Sequence, residues 1–512
     1  MLNGTTVIVT AIGYVCALFL VATWGDKGGR RFVARCRPLV YSLSLAVYCT
    51  SWTYYGSVGL ASAHGLDFLP IYIGPVLVVG FGHRLVARIA ALARAQNITS
   101  VADFVAARYG KAQNVAAMVA LVAVIGAAPY IALQLKAIAE TIPMVTGSFE
   151  TGRLNPPPPS SLFFLALASL LAAFAMAFGT RRIDPTEHQD GLILAIAAES
   201  LVKLVAFLAV GAFVVWGMFG GLGDLTRIAQ SSPRIAAVMG TRPDAAVWIV
   251  TTILSALAIL LLPRQFHVTI VENRDPRDIR AAAWLFPLYL VAINLFVAPL
   301  AIAGLATFAD GTIDRDLTVL ALPLSAGAHG LALLTMIGGL SAATAMVIVA
   351  SVALSITVSN DLVMPFMLRG RAAQADAPSG DIGSLVLFVR RGAILVVLFL
   401  GYAYIRVASE AALASLGLLS FAAVAQIAPA FLGGLFWRRA NARGAMAGLV
   451  AGSLIWLYTL FLPSLELNAA FANFLEHGPL AIGWLRPGAL LGFAANPSSA
   501  PGRSQAIASG PC

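Results

Sequence analysis

Residues 38–82 read PLVYSLSLAVYCTSWTYYGSVGLASAHGLDFLPIYIGPVLVVGFG, and the fold turns on this stretch. It holds two apolar segments, each long enough to cross a bilayer, for which a helix needs about twenty apolar residues. Through the middle of the first runs a polar, glycine-punctuated passage: Thr50, Ser51 and Trp52, then Gly56, Ser57, Val58 and Gly59. Glycine and hydroxyl residues weaken helical backbone at a depth where water cannot satisfy freed amides and carbonyls. Broken backbone is tolerated there only if it lines a cavity or is buried in protein. A helix broken near the midplane is therefore a candidate binding site. The alternative is that small residues simply let two helices pack closely.

Composition extends this reading to the whole chain. Of 512 residues, 59% are hydrophobic and 11% charged, and the mean hydropathy is +0.87. Soluble domains carry about twice that share of charge, so the chain reads as an all-α polytopic membrane protein in a lipid bilayer. The net charge of +10 would suit nucleic acid only if the basic residues shared one surface. They recur instead in short loops between apolar spans, and no nucleic-acid partner is expected. Cys16, Cys36, Cys49 and Cys512 show no CxxC spacing, which indicates neither a metal site nor a disulfide framework. The N-terminus MLNGTTVIVT lacks a basic region ahead of its apolar run, as expected of a retained first helix.

Twelve apolar runs read as transmembrane helices: 5–24, 38–61, 68–93, 113–142, 161–178, 189–219, 245–269, 281–308, 329–361, 385–406, 411–437 and 441–462. A thirteenth candidate, 479–495, is interrupted by Arg486, Pro487 and glycines, and 496–512 reads as a disordered tail. Lys and Arg crowd alternate loops, among them Arg30, Arg31, Arg84, Arg88, Arg181, Arg264, Arg274, Arg369, Arg390, Arg438 and Arg439. The opposite loops, up to the one after the twelfth span, hold only Arg153, Arg227, Arg234, Arg242 and Arg315. That bias puts the N-terminus outside and the basic loops in the cytoplasm. Spans two to six (residues 38–244) and seven to eleven (245–440) then form five-helix units of opposite orientation, as in an inverted-repeat transporter. Residues 1–37 hold the first helix and a basic loop, and 441–495 accessory helices. Pro263 in span seven is expected to kink or end its helix.

Several of these segments together resemble the solute:sodium symporter family. They are TYYGSVGLASAHGLDFLPIYIG (53–74), NITSVADFVAARYGK (97–111), the Pro263 region with its basic loop, SITVSNDLVMP (355–365) and NARGAMAGLVAG (441–452). The resemblance covers about residues 5–490 and implies the LeuT-type fold with a 5+5 inverted repeat. CTSWTYYGSVG, QNITSVADFVAARYGK and PRQFHVTIVENRDPRD are similar, more narrowly, to the transporter-like N-terminal part of bacterial sensor histidine kinases. That likeness ends at about Leu491, so the chain reads as a shortened copy, in the bacterial inner membrane. No kinase motif is present, and an enzyme is not expected. Two functions stay open: a symporter moving a small organic solute, amino-acid-like by resemblance, or a sensory input module that signals to a cytoplasmic partner.

The resemblance also implies ligands. In the family, backbone carbonyls of the broken helix and hydroxyls of a later core helix hold sodium. The carbonyl donors fall on Ala46 and Cys49, but the hydroxyl pair falls on Ala345 and Met346, with Ser341 and Thr344 nearby. Sodium or a proton is the expected coupling ion, with no other cofactor and no bound metal. The solute site is expected at Thr50, Ser51, Trp52 and Tyr72, with Tyr130 and Gln134 opposite on one face of the fourth span. Glu199 and Lys203 stand four apart in the sixth span, the favourable order for a helix ion pair, and buried ionisable residues are functional candidates. With His267 and His64 they are candidate proton carriers or gates.

Overall fold

The computed structural model describes residues 4–151, 154, 159–179, 190–309, 312–367, 382–408 and 412–465. The expected thirteenth segment and tail lie outside them. Among the described residues the chain is entirely helical, with no strand. Seven helices are long and apolar enough to cross a membrane, or ten if each of three bent pairs is one span. Helix starts follow local chemistry: the side chains of Asp244, Asp275 and Asn441 accept hydrogen bonds, each at 2.8 Å, from Ala246 N, Arg277 N and Gly444 N. These caps satisfy amides that a helix leaves without partners.

The centre of the bundle is His329–Thr357, which continues as a wide π-helical turn at Val358–Val363. In its most apolar stretch 89% of the residues are buried, against 17% for the first helix, Gly4–Lys27, which faces outward. His329–Thr357 packs against Asp190–Ala212, Gln113–Thr151 and Ile382–Val407. Small residues at Gly338 and Gly339 allow close approach, since a Cβ there would collide with the Tyr54 and Tyr55 side chains.

Against this core lie two interrupted helices. In the first, Arg37–Leu45 tightens into a 3-10 turn at Ala46–Tyr48 and Cys49 is extended (φ −78°, ψ 96°). A π-helical turn, Trp52–Gly56, then leads into Ser57–His64. In the second, Ala245–Leu261 ends, Leu262 is extended (φ −60°, ψ 127°) and Pro263 opens the next turn. Proline at that position loses no helical hydrogen bond, because its missing N–H would be unpaired there anyway. The axes of the two parts differ by 54°. The two interruptions meet: Tyr41 Oη donates to Thr269 O at 2.7 Å, and Gln265 Nε2 to Leu45 O at 3.5 Å.

Beyond the break, Gly59 leaves room for Asp316, a residue outside the spans, whose Oδ2 accepts the amide of Leu413 at 3.0 Å. Burial, and secondarily the charge of Asp314, pushes the Asp316 carboxyl up to about 6. A carboxyl with a raised folded-state pKa binds its proton more tightly folded than unfolded. Its contribution to stability is whole below its ordinary value of 3.8 and is lost as the pH rises through about 6. Thermal unfolding of the detergent-solubilised protein should therefore show stability falling as the pH climbs from about 4 to about 7. Asp316→Asn, which keeps an acceptor for Leu413, should flatten that part of the profile. An identical profile in both proteins would show that another group titrates.

Candidate functional site

The interruption between Tyr48 and Trp52 leaves backbone groups without helical partners, and side chains from two other helices, with Thr50 of the break itself, take them up. Gln134 Oε1 accepts the amide of Ser51 at 3.3 Å, and Thr50 Oγ1 accepts that of Trp52 at 3.3 Å. Thr50 Oγ1 also shares a 3.0 Å hydrogen bond with Tyr130 Oη. Tyr130 and Gln134, one turn apart on Gln113–Thr151, thus face the break together. Tyr72, on the next helix Pro70–Pro75, reaches back with its hydroxyl 2.5 Å from Ser57 Oγ, which stands just past the break.

The carbonyls of the break point the other way. Lys203 Nζ, on Asp190–Ala212, donates to Ala46 O at 2.7 Å and Cys49 O at 2.6 Å, and the lysine is 1% exposed. Glu199, four residues earlier, takes different partners: its Oε1 accepts Thr344 Oγ1 at 2.8 Å, and its backbone carbonyl accepts Ser341 Oγ at 2.8 Å. The ion pair expected between Glu199 and Lys203 is therefore replaced by separate bonds, because freed carbonyls stand nearer the ammonium than the carboxylate does. Lys136 and Glu140, spaced alike on the fourth span, do pair, at 3.7 Å.

Trp52, Tyr130 and Phe421 form an aromatic wall. Phe421, on Leu413–Ala425, stacks on Tyr130 at 6.0 Å and meets Trp52 at 5.1 Å. On the Tyr130 ring, 4.1 Å from its centroid, lies the guanidinium of Arg264. The sequence reading placed Arg264 among cytoplasmic loop cations. It is instead 2% exposed, drawn inside because the extended Leu262 and Pro263 turn the chain back into the bundle. Its Nε and Nη2 have no hydrogen-bond partner. Ser51 Oγ, Trp52 Nε1 and Gln265 Oε1 are likewise buried and unpartnered. An unsatisfied buried polar atom costs about 1–3 kcal/mol, more if charged, so such a cluster is what a polar ligand would relieve.

The histidines stand apart from this cluster. His267 Nε2 lies 3.5 Å from Glu272 Oε1, both buried at the end of the second interrupted helix. His64 is half-buried and ends Ser57–His64, ahead of Gly65 with φ +62°. Phe421 and the inward Arg264 went unrecognised in the sequence. A phenylalanine in an apolar run carries no signal, and an arginine beside a proline at a span end looks like a topology marker.

No family model matches the chain. It is 25% identical over 468 residues to the uncharacterized symporter YodF of Bacillus subtilis (strain 168), covering 88% of this chain and 86% of that protein. To the uncharacterized symporter YhjB of the same organism it is 23% identical over 301 residues, 58% and 57% of the two chains. The fold matches that of a Na+-coupled sialic acid symporter solved in a substrate-bound outward-open state, with a TM-score of 0.60 at 15% identity. That match covers 94% of this chain and 96% of that one. These proteins are named as symporters, and none as a kinase. The chain is thus a multi-pass membrane protein with a transporter fold.

The bond from Gln134 to Ser51 makes a local prediction. Gln134→Leu should leave the Ser51 amide unsatisfied and cost roughly 1–3 kcal/mol of stability, whereas Gln134→Glu, measured at low pH where the new buried carboxyl is protonated and keeps a neutral acceptor, should cost much less. Denaturant unfolding in detergent would measure both. Equal losses would show that the side chain contributes bulk at this site and no hydrogen bond.

Proposed function

We propose that this chain is a secondary transporter that moves a small organic nutrient bearing a carboxylate, amino-acid-like in size, across the bacterial inner membrane by alternating access. The observation that carries the reading is the buried Arg264 guanidinium with free Nε and Nη2 beside the broken helix. A buried charge without a partner is strongly destabilising. It is maintained where a ligand supplies the counter-charge, and a guanidinium matches a carboxylate with two parallel hydrogen bonds. The restarted helix at Ser51 and Trp52 adds the positive end of its dipole to the same place. Trp52, Tyr130 and Phe421 would cover the apolar part of the solute, and Gln134, Thr50 and Tyr72 would set its orientation.

On this reading the helices form two five-helix repeats of opposite orientation, residues 38–244 and 245–440, within twelve spans and with the N-terminus outside. The two interrupted helices are repeat mates. Their contact through Tyr41 and Gln265 supports that assignment.

Binding to the purified protein tests the reading directly. An amino acid found by ligand-induced thermal stabilisation should bind Arg264→Gln about 10- to 100-fold more weakly, the loss expected of a charge-assisted pair. An analogue with the carboxylate replaced by a neutral amide should discriminate little between the two proteins. The Trp52→Ala, Gln134→Ala double variant should abolish binding. Equal affinity of wild type and Arg264→Gln for the carboxylate would remove Arg264 from the site.

A further inference from the structure

The expected sodium ligands are present only in part, and what fills their place is a side chain. Cys49 O is released by the interruption, Ala46 O keeps its 3-10 bond from Cys49 N at 3.0 Å, and both converge on one point, the Nζ of Lys203, at 2.6 and 2.7 Å respectively. Contacts this short are typical of a charged donor. Two converging carbonyls at the end of a half-helix are the kind of group that holds a small cation inside a membrane protein. The residues that would complete the shell are turned elsewhere. Ser341 Oγ donates to Glu199 O, and Thr344 Oγ1 to Glu199 Oε1 and to Leu340 O at 2.9 Å. Ala345 and Met346, where the family pattern puts hydroxyls, offer no side-chain oxygen.

We infer that Lys203 is the resident cation of the broken helix. Its ammonium stands where Ala46 and Cys49 would otherwise hold a sodium ion, so the chain binds none there. The reasons are steric and electrostatic. Both carbonyls already accept from Nζ, and a second positive charge within about one ion diameter would meet unscreened repulsion. A lysine at this depth is itself costly unless oxygens surround it. The carbonyls and the lysine therefore satisfy each other, a bond present without any solute ion. Glu199, one turn away on the same helix, is the nearest counter-charge. Among the described residues, the other ionisable groups around the pair are Cys49, Arg264 on the second interrupted helix, Tyr14 on the first helix and Tyr289 on Pro276–Asn294. The inference rests on the transporter reading of the break but not on which solute is moved.

Thermal unfolding of the full chain in detergent, at fixed pH and ionic strength, tests it without any solute, comparing sodium chloride with choline chloride. Wild type and Lys203→Arg should unfold at the same temperature in both salts, and radioactive sodium should show no saturable binding. Lys203→Ala should unfold at a lower temperature in choline chloride and recover part of the loss in sodium chloride, because the vacated carbonyls accept the ion. A saturable, sodium-specific rise in wild type that Lys203→Ala abolishes would overturn the inference. So would a folded Lys203→Ala protein that stays indifferent to sodium, since the carbonyls would then form no cation site. Should Lys203→Ala fail to fold, the wild type decides alone, silence upholding the inference and a saturable response overturning it. A wild type that binds no amino acid yet ignores sodium leaves the resident lysine standing and removes only the proposed solute.

Discussion

Inside a bilayer a helix can be interrupted only if every freed backbone group finds a partner in protein, and the structure depends on how that requirement is met between Ala46 and Trp52. The carbonyls of Ala46 and Cys49 go to Lys203, the amide of Ser51 to Gln134 and that of Trp52 to Thr50. These partners sit on different helices, so the sixth span, the fourth span and the broken second span are tied at one depth. The small residues of His329–Thr357 then let the tyrosines after the break pack against the central helix. The interruption is thus a junction that orders its neighbours, and without them it would have no stable conformation.

Two buried cations beside this junction are held in contrasting ways. Lys203 gives two of its three N–H donors to backbone oxygens, whereas Arg264 has a ring face beneath it and two nitrogens free. A satisfied charge stabilises the framework and an unsatisfied one is available to a ligand. In the proposed transporter this divides the labour between a fixed positive charge on one side of the break and a solute anchor on the other. Glu199 ties the hydroxyls of Ser341 and Thr344 back to the sixth span, which draws the central helix against it.

Much of the architecture was legible in the linear chain because a bilayer constrains it strongly. Apolar length identifies helices, and Gly, Ser and Thr within an apolar run mark weak backbone. Pro263 likewise marked the second interruption, where the helix ends at Leu261. The spacing of Tyr130 and Gln134 puts both on one face of their helix, and in the structure that face meets the break. Lys203 and Glu199 were recognised as unusual, but their spacing suggested each other as partners. Helical spacing says which side chains can meet within one helix and nothing of what a neighbouring helix presents.

The amino-acid sequence by itself determined that this is a membrane protein of many helices with a polar break in the second, because hydropathy and backbone chemistry act locally. Tertiary structure alone decided where the charges go. The carbonyls that capture Lys203 are 157 and 154 residues away in the chain. Arg264 turns inward only because the backbone at Leu262 and Pro263 redirects it onto a ring of another helix. Electrostatic partners are chosen by distance in space, and in a low-dielectric interior a few ångströms outweigh any preference written into neighbouring residues.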